Sequence, residues 1–312
     1  MKKYLKQLQA TGLFALMVPA LLLTGCNDDD NNTQPQQSIA QVVNTNSDFS
    51  LLRAAVTKAG LADALNTGTL TVFAPNNAAF QASGLNEAAL NMLTQAQARA
   101  VLEYHVVNSR QTAASLPSGD NSAVTALSGG TLYVTKNGNN VSVNGAQVIQ
   151  ADVEASNGVI HVVDRVLLPP VGNIVETAVA LGENFTYLVA AVQRANVAGV
   201  LSGAGPLTVF APVNQAFIAA GFPTIASIQA ADPAALTTIL TYHVVPGRVF
   251  STNLTTSNVA TAQGGNVSVN VGTGVQVTGL GNGGNAANVV RPNVVATNGV
   301  IHAIDRVLLP AN

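Results

Sequence analysis

The feature that most limits how this chain can fold is that it is written twice. Thr71-Val72-Phe73-Ala74-Pro75-Asn76-Asn77-Ala78-Ala79-Phe80 returns 137 residues later as Thr208-Val209-Phe210-Ala211-Pro212-Val213-Asn214-Gln215-Ala216-Phe217. Tyr104-His105-Val106-Val107 returns as Tyr242-His243-Val244-Val245, with Arg110 and Arg248 following at the same distance. Asn157-Gly158-Val159-Ile160-His161-Val162-Val163-Asp164-Arg165 and its tail Val166-Leu167-Leu168-Pro169 return as Asn298 to Pro310. Three blocks in one order, separated by small insertions, mean two copies of one module. Pro169-Pro170-Val171-Gly172 is the natural joint, since paired prolines neither continue a helix nor donate to a central strand ladder. The copies are placed at 37–170 and 171–312.

What precedes them is of another kind. Met1-Lys2-Lys3-Tyr4-Leu5-Lys6 and the apolar run from Leu13 to Leu23 have the layout of a secretory signal over residues 1–25. The run is shorter than the ~20 apolar residues of a membrane-crossing helix. Leu23-Thr24-Gly25-Cys26 resembles a bacterial lipoprotein box, and Cys26 is the only cysteine in the chain. Cleavage before Cys26 would leave its thiol to carry lipid, and several acyl chains anchor a protein stably. Residues 26–36, beginning with Asn27-Asp28-Asp29-Asp30, read as a polar flexible tether. The expected location is a secreted lipoprotein held at a membrane, on a periplasmic face or the cell surface.

Charge excludes other classes. Thirteen bases against 15 acids give a net charge of -2, and loss of Lys2, Lys3 and Lys6 with the signal lowers it further. An electrostatic nucleic-acid binder would need the opposite balance. A lone cysteine forbids an internal disulfide, and with four histidines it excludes a zinc-finger cluster.

Within each copy a helical first half gives way to a strand-rich second half, which predicts an α+β fold. Asp48 is the expected cap of a helix carrying Phe49, Leu52 and Val56 on one face; Phe185, Leu188 and Val192 repeat the spacing. Leu70–Phe73 reads as a buried strand, Asn76 as the cap of the helix carrying Phe80, and Asn77/Asn214 as a shared amide bonded to nearby backbone. Thr94 with Gln97 forms a capping box, and Asp232-Pro233 opens the equivalent helix. Strands are expected at Thr131–Lys136, Val141–Asn144, Val148–Val153, Val267–Val271 and Val275–Gly279.

These blocks resemble the two signature motifs of the fasciclin (FAS1) domain, with Tyr-His between them. The resemblance is to tandem-FAS1 lipoproteins of bacteria. It implies a β-sandwich or wedge with helices packed beside it, and identifies Phe73, Pro75, Asn77, Phe80, His161 and Asp164 as structural motif positions. Phe210, Pro212, Asn214, Phe217, His302 and Asp305 are their counterparts. Tyr104-His105 and Tyr242-His243 resemble the Tyr-His motif that animal FAS1 proteins associate with integrin-dependent adhesion, which makes them the candidate adhesion motif. Read as residues alone, they are first of all core pieces, an aromatic closing a helix and a histidine entering a strand.

Signals for catalysis are missing. His161 and Asp164 are an odd number of residues apart, so a regular strand sends them to opposite faces. No Gly-x-Ser-x-Gly, HExxH or P-loop occurs, and no metal or cofactor is expected. Gly279-Leu280-Gly281-Asn282-Gly283-Gly284 matches a dinucleotide fingerprint literally but lacks a following helix pattern, and reads as a glycine-rich hairpin loop. The expected function is non-enzymatic adhesion, or contact with envelope, surface or matrix proteins or glycans. The alternative is a carrier holding a small hydrophobic ligand in an apolar cleft between sheet and helices.

Overall fold

The computed structural model describes residues 35–311. The proposed signal, Cys26 and most of the tether lie outside the described residues. In the first copy the chain runs α1 (Ile39–Thr45), α2 (Ser50–Ala59), β1 (Leu70–Pro75), α3 (Asn77–Ala82), α4 (Glu87–Met92) and α5 (Gln95–Tyr104). Then follow β2 (Val106–Val107), β3 (Gly119–Thr125), β4 (Thr131–Asn137), β5 (Asn140–Val143), β6 (Ala146–Ala155) and β7 (Gly158–Val163). The second copy repeats this with α6 (Ile174–Ala180), α7 (Thr186–Arg194), α8 (Ala198–Leu201), β8 (Leu207–Pro212), α9 (Asn214–Ala219), α10 (Ile225–Ala230) and α11 (Pro233–Tyr242). It ends in β9 (Val244–Pro246), β10 (Ser257–Ala260), β11 (Asn266–Val271), β12 (Val275–Gly279), β13 (Ala287–Ala296) and β14 (Gly299–Ile304). The α+β expectation holds in both copies.

Each copy is a nearly closed seven-stranded sheet. The first has the order β2-β1-β7-β6-β5-β4-β3, and its two ends approach where Leu127 N–H donates to Val106 O at 2.7 Å. Ala262 and Val244 make the same bond in the second copy. The pairings are antiparallel except that β1 lies parallel to β7, and β8 to β14. The two sequence blocks that define the repeat are thus hydrogen-bonded to each other. Both strands are buried on both faces, as parallel strands covered on two sides are. Val72, Ala74, Ile160 and Val162 face the helices with Phe49, Leu52 and Phe80, whereas Phe73 and Val163 point into the sheet interior with Tyr104, Leu132 and Val143. Alternation along one strand supplies two cores.

Gly158 shows why this pairing tolerates no side chain. A Cβ there would sit 1.9 Å from Leu70 O, and one at Gly299 would sit 2.1 Å from Leu207 O. The preceding asparagine completes the lock. Asn157 accepts from Ile39 N–H and donates to Leu65 O, while Asn298 accepts from Ile174 N–H and donates to Leu201 O.

Several local expectations hold. Asn76 caps α3 through Ala79 N–H, Thr94 and Gln97 form the capping box of α5, and Asp232 caps α11 ahead of Pro233. One differs: Asp48 caps nothing. Asn46 takes the cap by accepting from Asp48 N–H, so a 3-10 turn over Ser47–Phe49 precedes α2, and Phe49 is buried from that turn. The glycine-rich stretch after β12 is not a plain hairpin loop either. It holds a 3-10 turn, Leu280–Asn282, and glycines 279 and 281 let it pass close to the backbone of Leu309 and Pro310.

The two copies dock through a small interface in which each contributes different parts. Phe250 of the second copy is 1% exposed and meets Tyr133 of the first with ring centroids 6.2 Å apart. The Arg248 guanidinium lies 4.1 Å from the centre of the same Tyr133 ring, a cation-π contact. Polar bonds surround this pair: Asn121 Nδ2 to Arg248 O, Asn253 Nδ2 to Asp120 and Thr135, Ser142 Oγ with Thr252 Oγ1, and Asn293 Nδ2 to Gly145 O. Phe250→Ala removes the anchor at a cost of about 3 kcal/mol or more. Calorimetry should then resolve two unfolding transitions where the parent shows one; a single transition at the parental temperature would contradict the docking.

Candidate functional site

All four histidines occupy repeated positions, so any shared chemistry would be built from them. His105 caps the C-terminus of α5 and is 1% exposed. Its Nδ1 faces Val101 O at 2.7 Å, and its Nε2 receives Leu167 N–H at 2.8 Å. A carbonyl can only accept and an amide N–H only donate, so the ring is neutral with its proton on Nδ1. His243 repeats the arrangement with Ile239 O and Leu308 N–H. In both cases the ring joins the end of a helix to the segment that leaves the last strand. Burial pushes both imidazoles down to about 4, against the partial support of the carbonyl bond.

His161 and His302 use the other tautomer. Nε2–H donates to Gln111 O and Val249 O respectively, each at 2.8 Å, while Nδ1 receives the N–H of Asp152 or Asn293. Each ring stacks on the strand residue beside it, Phe73 or Phe210, with centroids 5.5 and 5.6 Å apart. Burial lowers both, His302 to about 4. Every imidazole therefore spends its proton on a carbonyl and its lone pair on an amide. None has an electron pair left for a metal or for a serine hydroxyl, and the described residues contain no cluster of His, Cys, Asp and Glu that could hold an ion.

Tyr104 and Tyr242 are fully buried at the ends of α5 and α11. The Tyr104 hydroxyl donates to Thr131 O and accepts from Asn144 Nδ2, and burial pushes the phenol up to about 12. Tyr242 donates to Asn266 O and accepts from Leu280 N–H instead. The candidate adhesion motif is thus corrected in one respect. In the folded chain Tyr104, His105, Tyr242 and His243 form core brackets and present no surface to a partner.

The remaining motif positions also close on the chain itself. Asn77 accepts from Leu51 N–H and donates to Ser47 O, and Asn214 accepts from Tyr187 N–H and donates to Glu183 O. Both tie the helix after the first block to the start of the second helix of the copy, α2 or α7. Asp164 accepts from Gln147 N–H and Asp305 from Asn288 N–H, each at 2.7 Å, clamping the exit of the last strand to its neighbour. Partial burial raises the Asp164 carboxyl. Phe73, Phe80, Phe210 and Phe217 are core, and Pro75 and Pro212 end the buried strands. His161 and Asp164 do not meet.

Two pairs of structural residues escaped the sequence reading. Thr71 Oγ1 donates to Ser109 O and accepts from Gln111 N–H, and Thr208 does the same with Gly247 and Val249. Asp152 and Asn293 sit at φ +56° and +63° in bulges of β6 and β13, which aims their N–H groups at the histidines. Their Oδ1 atoms accept from Ala113 and Ser251 N–H. The tolerance of Asp and Asn for positive φ was the available signal.

One apolar cavity between sheet and helices of the second copy, lined by Ile174, Val192, Leu201 and Val209 among others, holds only about 30 Å³. Ligand pockets run to roughly 300–1,000 Å³, so this cavity cannot seat the carrier's cargo.

A model of the fasciclin domain matches residues 47–169 and 183–310. Protein sll1483 of Synechocystis is 40% identical over 167 residues, which are 50% of this chain and 91% of that protein. Human periostin is 32% identical over 188 residues, 59% of this chain and 22% of periostin. Transforming growth factor-beta-induced protein ig-h3 of Sus scrofa is 31% identical over 250 residues, 78% of this chain and 35% of that protein. The matched stretches therefore span only 22% and 35% of the two animal relatives. A solved FAS1 domain pair from the insect cell adhesion molecule Fasciclin I is 20% identical, with a TM-score of 0.41 over 84% of this chain and 97% of that one.

Stability should follow the histidines. His105, His243 and His302 are neutral in the fold to about pH 4, whereas in the unfolded chain they take up protons near 6.5. Between those values the unfolded state binds more protons, so each ring costs about 1.4 kcal/mol of stability per unit of falling pH. Urea midpoints should be level above pH 7 and drop from about 6.5 towards 4. A flat profile across that window would contradict the assignment.

Proposed function

This chain belongs to the fasciclin domain family, and we propose that it is a non-enzymatic lipoprotein that makes adhesive or protein contacts at the cell envelope through two docked FAS1 modules. The observation that carries this reading is that the repeated histidines and tyrosines, from which an active site would be assembled, close their bonds inside the fold. What the pair can offer a partner is its outer surface, held in one orientation by the Tyr133–Phe250–Arg248 contact. Two modules engaging together gain avidity by factors of roughly 10²–10⁴ over one.

Cys26 carries the anchor in this account, with residues 26–36 holding the modules off the membrane. Among the described residues no helix is long and apolar enough to cross a membrane, and the lipid is the proposed attachment. Labelled palmitate should enter the parent chain and not Cys26→Ser, and the variant should move to the soluble fraction. Labelling of the variant, or its unchanged retention in membranes, would refute the anchor.

For adhesion, cells lacking the gene should attach and cohere less, and restoring either module alone should recover much less than half of the effect. Unaltered attachment in the deletion strain would overturn the reading. His105→Ala should lower attachment only in proportion to the folded protein that reaches the surface, because the residue has no outward face.

A further inference from the structure

One hollow of ligand size lies between the copies and takes residues from both. A groove of about 530 Å³ runs where the exit of β7 passes α6 and β13, a size within the range of roughly 300–1,000 Å³ that small-molecule sites occupy. Leu168, Val171, Leu181, Val290 and Val294 give it an apolar floor and rim. Three of these face water to an unusual degree, Val171 at 69%, Val290 at 56% and Leu168 at 41%.

Two cations line the same groove, Arg165 from the first copy and Arg291 from the second. No aspartate or glutamate lines it, and neither arginine has a carboxylate within ion-pair distance among the described residues. Glu183 lines the adjoining hollow, which shares Val290 and Arg291, yet stays outside that distance. Arg165 donates to Ala82 O at 3.3 Å, which holds its guanidinium at the rim. Strand register makes Gln150 the first-copy counterpart of Arg291, so the second cation appears only where docking creates the groove. Asp164, next to Arg165 in the chain, feels its charge without forming an ion pair, so a chain poor in bases has placed two cations that form no ion pair among the described residues beside exposed apolar side chains.

We propose that this groove binds an amphipathic monoanion, a long-chain carboxylate, whose headgroup pairs with Arg165 and Arg291 while its hydrocarbon lies along Val171, Leu181 and Val290. Guanidinium and carboxylate match as charged, two-pronged partners. The alkyl chain covers apolar surface that otherwise faces water.

Titration calorimetry of the mature chain carrying Cys26→Ser tests this with dodecanoate, dodecanol and acetate as probes. Dodecanoate should bind at least about tenfold tighter than dodecanol, as a charge-assisted bond implies, and acetate should bind more weakly than either. Arg291→Gln, at an exposed residue without a hydrogen-bond partner among the described residues, should weaken dodecanoate about fivefold or more without altering the fold. Val290→Asp should abolish binding, and Arg306→Gln, the counterpart of Arg165 away from the groove, should leave it unchanged. Equal affinity for acid and alcohol, acetate binding as tightly as dodecanoate, no binding of dodecanoate, or indifference to Arg291→Gln and Val290→Asp would each overturn the proposal.

Discussion

The buried imidazole of His105, repeated in His243, is the interaction on which the rest of each copy depends. The ring joins the last turn of a helix, through Val101 O, to the departing chain, through Leu167 N–H, while the backbone carbonyl of the same residue accepts from Phe73 N–H in the first strand. An apolar residue there would orphan a buried carbonyl and a buried amide, each costing roughly 1–3 kcal/mol. A charged one would meet the full cost of burial. Only a side chain that donates from one edge and accepts on the other fits, and neutral histidine does both.

The same economy explains the parallel strands. Leu70–Pro75 and Gly158–Val163 are far apart in sequence, and closing that loop costs conformational entropy. The return is two cores from one pair of strands, with His161 stacked on Phe73 inside and the Asn157 amide pinning α1 outside. Glycine at 158 is the geometric condition for the approach.

Much of this was legible in the sequence because it was written twice. Duplication located the blocks, the caps at Asn76, Thr94 and Asp232 followed from local chemistry, and the β11–β12 hairpin followed from alternation. What stayed hidden was long-range. Nothing at Tyr104 or His105 says whether the pair faces out or in, since that depends on where Thr131, Asn144 and Leu167 arrive in space. The parallel pairing of the two blocks, the bulges at Asp152 and Asn293 and the docking of Phe250 on Tyr133 have no periodic signal. The last two also mark where the copies diverge. Asp152 can only accept, whereas Asn293 in the same bulge also donates across to Gly145 O. One amide in place of a carboxylate supplies part of the joint between modules.

The central claim is that the repeated histidines are fixed, neutral, two-bond brackets and not ligands, bases or contact residues. Nitrogen-15 NMR of the imidazole rings tests it most directly. Four stable neutral rings are expected at pH 7, protonated on Nδ1 in His105 and His243 and on Nε2 in His161 and His302, with His105, His243 and His302 untitrated down to about pH 5 while the chain stays folded. A ring that titrates near 6.5, exchanges between tautomers or shifts on addition of zinc would contradict it.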